Sequence, residues 1–166
     1  MSIVFSHYSV LLNECIQGLD IKPDGIYVDG TAGGAGHSRE IAKRLTTGRL
    51  IAFDKDPQAV AVATERLKEF PNAQVVHSDF SEMCNVLDSL SIDKVDGILL
   101  DLGVSSYQLD TPERGFSYRT DSPLDMRMNS EDTLSAHTVV NTWPQEELKR
   151  ILLQSVKKII IWMNWL

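Results

Sequence analysis

An α/β fold built on a parallel sheet follows from three observations in this 166-residue sequence. Segments rich in β-branched and aromatic residues alternate with segments whose apolar residues recur at helical spacing. The first strand segment runs into a glycine turn, Asp29-Gly30-Thr31-Ala32-Gly33-Gly34-Ala35-Gly36, and a helix follows. Four acids, Asp29, Asp54, Asp79 and Asp101, close successive strand segments at intervals of 25, 25 and 22 residues, about one strand-plus-helix unit each. Such alternation implies right-handed crossovers, and it puts all four acids on one carboxyl edge, where open α/β sheets bind ligands.

In chain order, Ser9 is placed to cap a short helix ending near Gly18 and Leu19, with Leu11, Leu12, Cys15, Ile16 and Leu19 as its apolar stripe. His7 before it reads as a surface or capping residue. Lys22-Pro23-Asp24-Gly25 is turn chemistry. Ile26, Tyr27 and Val28 suit a buried strand, and Ile41, Ala42 and Leu45 share one face of the helix beyond the glycines. Residues 49–53 form a second strand. Asp56 is the expected N-cap and Pro57 the first residue of a helix that turns Ala59, Val60, Ala63, Leu67 and Phe70 inward. Residues 72–77 predict a third strand, and 81–90 a third helix carrying Met83, Val86, Leu87 and Leu90 on one face. Residues 95–102 are apolar enough for a fourth strand buried on both faces. Residues 103–129 lose periodicity and predict a long functional or mobile loop. Two short helices, 134–142 and 144–154, follow and break at Trp143-Pro144.

The length suits one domain with its own core. A net charge of −7 argues against broad, nonspecific attraction to nucleic acid but leaves room for a local basic surface at Arg114, Arg119 and Arg127. Cys15 and Cys84 lack zinc-site spacing and read as buried free thiols, as suits a reducing cytosol. No basic segment leads into an apolar run at the amino terminus, and no run reaches the roughly 20 apolar residues of a membrane span. The expectation is a soluble, cytoplasmic chain with no membrane partner and no metal.

Glycines ahead of a helix start suit a negatively charged or nucleotide-like ligand, and an acid closing the second strand, Asp54, can accept hydrogen bonds from ribose hydroxyls. Both a dinucleotide and S-adenosylmethionine fit that description. The glycines at 30, 33, 34 and 36 admit no GxGxxG, which counts against a nicotinamide cofactor. His77-Ser78-Asp79-Phe80 adds an acid and an aromatic suited to an adenine ring. Against these stand plainer readings: a structural tight turn for the glycines, core packing for Phe80, and a surface helix-start residue for His37.

Several blocks together carry a family resemblance. They are His7-Tyr8-Ser9-Val10-Leu11-Leu12-Asn13-Glu14, Asp29-Gly30-Thr31 with Gly36-His37-Ser38, Asp54-Lys55-Asp56-Pro57, Asp101-Leu102-Gly103-Val104-Ser105-Ser106, Gln108-Leu109-Asp110, Arg114-Gly115-Phe116-Ser117 and Leu124-Asp125-Met126-Arg127-Met128. Over residues 7–154 the chain resembles the RsmH (MraW) family of S-adenosylmethionine-dependent methyltransferases, which modify the N(4) amine of a cytosine in small-subunit (16S) ribosomal RNA. The resemblance implies a Rossmann-like class I methyltransferase sheet, of which this chain holds the N-terminal half of about four strands, followed by the start of a helical substrate region. It divides the chain into a cofactor domain at 1–105, a substrate-recognition loop and helical region at 106–154, and an apolar tail at 155–166.

By the same resemblance, Ala35, Gly36 and His37 line the methionine end of the cofactor, Asp54 holds its ribose, Phe80 lies beside the adenine, and Asp101 and Gln108 sit near the reactive end. A cytosine amine is a poor nucleophile, so the site must align it and accept its hydrogen bonds as charge develops. Asp101 is the expected catalytic acceptor, supported by Ser105 and Ser106. Tyr107, Phe116 or Tyr118 would hold the unstacked base, and Arg114, Arg119 and Arg127 would touch phosphate, which makes ribosomal RNA or the ribosomal subunit the expected partner. The tail, Ser155-Val156-Lys157-Lys158-Ile159-Ile160-Ile161-Trp162-Met163-Asn164-Trp165-Leu166, departs from the family, whose members are about twice as long. An exposed fourth strand and this tail would then favour self-association, and the alternative expectation is a noncatalytic S-adenosylmethionine-binding fragment.

Overall fold

The computed structural model describes residues 9–163, with side chains through Gln154. His7 lies outside the described residues. The chain divides into two compact units: residues 1–107 with 128–130, and residues 108–127 with 131–166.

The first unit is a four-stranded parallel sheet in the order β3-β2-β1-β4, formed by β1 (Ile26–Asp29), β2 (Arg49–Asp54), β3 (Ala73–His77) and β4 (Gly97–Leu99). Its register pairs Val28 with both Ile51 and Ile98, and Ala52 with Val75. Alternate strand residues feed opposite faces. On one face Tyr27 and Leu50 pack with Ile16 of α1 (Leu12–Leu19) and Ile41 and Ala42 of α2 (Gly36–Ala42), and Ala52 packs with Ala63 and Leu67 of α3 (Pro57–Leu67). On the other, Val28, Ile51 and Phe53 pack against Leu87 of α4 (Met83–Ser89) and Ile92. Phe53, Ile51 and Val28 are wholly buried, each a stabilisation of about 1.5–3 kcal/mol over the exposed state.

The capping expectation holds at α3, where Pro57 is first in the helix and Asp56 accepts the Gln58 N–H at 3.0 Å. It fails at α1. That helix starts at Leu12 behind a left-handed Leu11 with no side-chain cap, while Ser9 lies against Gly36; the helix runs through Leu19 as expected, but its C-cap is the left-handed Asp20 and not Gly18. A 3-10 turn over Phe80–Glu82 precedes α4.

Two further expectations need correction. The fourth strand covers three residues rather than eight, and it is not buried on both faces: Leu99 is 7% exposed but Ile98 is 48% exposed and Leu102 68%. β4 pairs only with β1, and Ile98 lies on the Val28 face, beyond the reach of α4. The cysteines are free but not buried, Cys15 being half-buried and Cys84 exposed.

In the second unit the expected loop holds one short helix, α5 (Ser106–Asp110), at its border and a 3-10 turn over Pro112–Arg114. Beyond it come α6 (Ala136–Thr142), capped by Ser135, and α7 (Gln145–Met163). α7 runs past Gln154 into the apolar tail, whose side chains lie outside those described. No described helix is long and apolar enough to cross a membrane.

Candidate functional site

The chain lays β1, β2 and β3 outward in one direction and returns to place β4 on the other side of β1. That reversal is a topological switch point, and the crevice beyond the carboxyl ends of β1 and β4 is where open α/β sheets take ligands. The four strand-closing acids stand along this edge, but they do different work.

Asp29 is structural. It is 1% exposed and accepts the Thr31 N–H at 3.1 Å on Oδ1 and the Ser38 hydroxyl at 2.6 Å on Oδ2, tying the strand end to both the glycine turn and α2. Burial pushes its pKa up, although the bonds from Ser38 and Thr31 oppose the shift. Thr31 extends the tie, because its Oγ1 accepts the Asp101 N–H at 2.7 Å, and the Gly30 N–H donates to the Leu99 carbonyl at 2.9 Å. The loop after β4 is thereby fixed to the turn after β1. The Asp29–Ser38 and Thr31–Asp101 contacts are not foreseen from sequence; the i, i+2 spacing of Asp29 and Thr31, an Asx-turn signature, is their one local signal.

The turn itself needs left-handed backbone at Gly33 (φ 50°) and at Ala35 (φ 59°), the second at a cost glycine would avoid. It is held from outside by Arg66 of α3, which donates to the Gly34 carbonyl at 2.6 Å. His37 opens α2 but is no surface residue. It is 6% exposed, and Val10's carbonyl accepts from its Nε2 at 3.0 Å, so it secures the segment leading into α1 against the glycine turn.

Asp54 closes β2 and meets the turn. Oδ2 accepts the Gly33 N–H at 2.8 Å and Oδ1 the Asp56 N–H at 2.9 Å. Burial raises its pKa against the pull of those two donors. Each oxygen has a second lone pair, so the carboxylate can accept two further bonds. Asp79 sits one strand over, accepts the Ser81 N–H at 2.9 Å and pairs with Lys55 Nζ at 2.9 Å. The Lys55 ammonium is the main reason its pKa falls to about 2. Phe80 follows, 37% exposed. Asp101 is exposed beside β4.

Other expected site residues belong to the region after β4. Tyr107 and Gln108 lie on α5, half-buried and buried respectively. Phe116 is half-buried. Two of the three arginines expected to form a basic surface are committed inward. Arg114 is 7% exposed and donates to the Arg127 carbonyl at 2.9 Å. Arg127 grips Asp125 through Nε and Nη2, at 2.9 and 2.6 Å, and its guanidinium holds Asp125 below the usual carboxylate range. The arginine pattern in sequence carries no sign of these internal acceptors. No cluster of three metal-ligating side chains occurs among the described residues.

A parallel sheet with a glycine turn, a helix start and a strand-closing acid meeting at its switch point defines a Rossmann-like domain whose ligand edge lies at the carboxyl ends of β1, β2 and β4. The MraW methylase family model matches residues 4–158, and the chain belongs to that family. It is 60% identical over 151 residues to the ribosomal RNA small subunit methyltransferase H 2 of Agathobacter rectalis, and 61% identical over 150 residues to the ribosomal RNA small subunit methyltransferase H of Lachnospira eligens. Each alignment covers 89% of this chain and 48% of the relative, so the chain spans about half the length of the curated relatives it matches. A crystal structure of the 23S rRNA methyltransferase ErmE aligns with a TM-score of 0.40 at 23% identity, over 45% of this chain and 30% of that one.

Proposed function

We propose that the carboxyl edge of the sheet binds S-adenosylmethionine and serves methyl transfer to small-subunit ribosomal RNA, with the N(4) amine of a cytosine as acceptor. The observation that carries this reading is the Gly33–Asp54 corner. There a half-buried carboxylate is fixed by the Gly33 and Asp56 N–H groups at the mouth of the glycine turn, and a carboxylate so held can accept from a ribose hydroxyl. The residues fit the cofactor on their chemistry. Phe80 offers a partly exposed ring to an adenine, and the backbone of Ala35, Gly36 and His37 would form the wall for an amino-acid end.

The cofactor supplies an electrophilic methyl group. The chain itself must hold the amine in line and take its hydrogen bond as positive charge develops on nitrogen. Asp101 suits that role, because its exposed carboxylate follows a backbone N–H anchored on Thr31. Tyr107 is this unit's aromatic to steady an unstacked base. Membership in the MraW methylase family and the names of the relatives supply the RNA substrate in this reading.

The test is incubation of the purified chain with methyl-labelled S-adenosylmethionine and small-subunit RNA or subunits, followed by nucleoside analysis. Labelled N(4)-methylcytidine that disappears in Asp101→Ala supports the proposal. A folded chain that binds cofactor yet transfers no label refutes the catalytic half. That outcome favours a second reading, motivated by the exposed Ile98 and Leu102 at the β4 edge: a noncatalytic cofactor-binding protein that self-associates there. Sedimentation that depends on concentration would support it.

A further inference from the structure

The loop between Arg114 and Arg127 is pinched at its neck. The Met126 N–H donates to the Arg114 carbonyl at 3.0 Å, and Arg114's guanidinium crosses to the Arg127 carbonyl at 2.9 Å. Gly115 takes a left-handed φ of 69°, and a Cβ there would strike the Pro123 carbonyl and stand 2.7 Å from the Asp125 nitrogen. The two ends are therefore in backbone contact, with no room for a side chain between them. This is the geometry of a compact surface loop whose form its own neck determines.

What the neck presents is unusual. Tyr118, at the tip, is 99% exposed, although a tyrosine ring ordinarily gains by covering apolar surface. Arg119 beside it is exposed, and its guanidinium has no partner among the described residues, whereas Arg114 and Arg127 are used inside the loop. Hydroxyls surround the pair: the Arg119 N–H donates to Ser117 Oγ at 3.3 Å, and Thr120 Oγ1 lies 3.1 Å from Ser122 Oγ.

We infer that Tyr118 and Arg119 form a stack-and-clamp contact for single-stranded RNA, the ring taking an unstacked base and the guanidinium the adjoining phosphate. The inference rests on the RNA-methyltransferase reading for its choice of partner, and the chemistry of the tip agrees. A protein hot spot is an anchor seated in a packed, desolvated pocket, whereas Tyr118 stands free of any pocket and has Ser117, Thr120 and Ser122 as its neighbours along the loop. Base stacking on an aromatic needs no such pocket, because the ring face itself is the binding surface and every base has a π-face. Asp121 is the opposing charge at the tip and limits affinity without blocking the ring.

Fluorescence anisotropy of a short labelled single-stranded RNA, titrated with the 166-residue chain at several salt concentrations, tests this. Tyr118→Ala should weaken binding about tenfold, and Tyr118→Phe should stay within about twofold of the parent, because stacking needs the ring and not the hydroxyl. Arg119→Gln should reduce the salt slope by about 0.7, one single-strand phosphate contact, and Asp121→Asn should tighten binding. Both tip residues are exposed, so circular dichroism of the variants should match the parent. Absence of RNA binding by the folded chain, or equal binding by Tyr118→Ala and the parent, overturns the inference. Cofactor titration is read separately. RNA binding lost in Tyr118→Ala by a chain that gives no heat with S-adenosylmethionine would keep this inference and sink the cofactor reading, whereas cofactor binding with an indifferent Tyr118→Ala would do the opposite.

Discussion

Asp29 offers a sharp test of how the site is held together. In Asp29→Ala the Thr31 N–H and the wholly buried Ser38 hydroxyl both lose their acceptor. An unsatisfied buried donor costs about 1–3 kcal/mol, which applies in full to Ser38 and less to the half-buried Thr31 N–H, so the substitution should cost at least about 1–3 kcal/mol, a large share of a typical domain's stability. Asp29→Asn behaves differently. Its amide oxygen can keep the Thr31 N–H and its NH2 can donate to Ser38 Oγ, which turns from donor to acceptor, while the buried charge is gone; the cost should stay below about 1 kcal/mol. The pH dependence has a definite sign. Burial raises the pKa of Asp29 in the folded state above its usual 3.8, so the folded state keeps this proton longer than the unfolded state does. That contribution is present in full below the unfolded value and is lost as pH rises through the folded value. Asp29→Asn has no such group and should gain on the parent as pH rises. Urea denaturation followed by circular dichroism at several pH values measures all three proteins. Asp29→Asn as costly as Asp29→Ala, or falling behind the parent as pH rises, would refute the reasoning.

Four other substitutions probe separate parts of the fold. Gly48→Ala should destabilise by at least about 1–3 kcal/mol in the same denaturation assay, because its Cβ would meet the Gly25 carbonyl and stand 2.9 Å from the Gly25 nitrogen, both backbone. Lys55→Met should flatten acid unfolding: with its pKa at about 2, Asp79 contributes stability above its unfolded value near 3.8 and loses it as pH falls toward 2, and without the ammonium that window narrows. Ile98→Lys should change stability by no more than about 0.5 kcal/mol, against about 2–5 kcal/mol for Ile51→Ala on the same sheet face, and in sedimentation it should abolish any association through the β4 edge.

The sheet was legible where local chemistry and pattern agreed. β1, the glycine turn, β2 and α3 follow from β-branched runs, glycine spacing and the Asp56–Pro57 start, and all are present. The apolar run after Val95 misled because composition cannot tell a strand covered on both faces from an edge strand; that depends on which helix lies over Ile98. Leu11 and Ala35 take left-handed backbone that neither residue type advertises. At the ligand edge, Asp54 could be read from its place after a strand, and its Asp56 donor is local, but its Gly33 donor belongs to a turn 21 residues earlier. Arg114 reads as a surface group, and the plain reading of His37 apart from the resemblance is a surface helix-start residue, because their acceptors, the Arg127 and Val10 carbonyls, are main-chain atoms set by tertiary structure.

Calorimetric titration of the chain with S-adenosylmethionine tests the central claim most directly, with Asp54→Ala as the control and circular dichroism to establish that both are folded. Binding should be saturable and one-site, and Asp54→Ala should weaken it at least about tenfold, the loss of one charge-assisted hydrogen bond or more to the ribose. A folded parent chain that gives no heat, or an Asp54→Ala chain that binds as tightly as the parent, would contradict the claim.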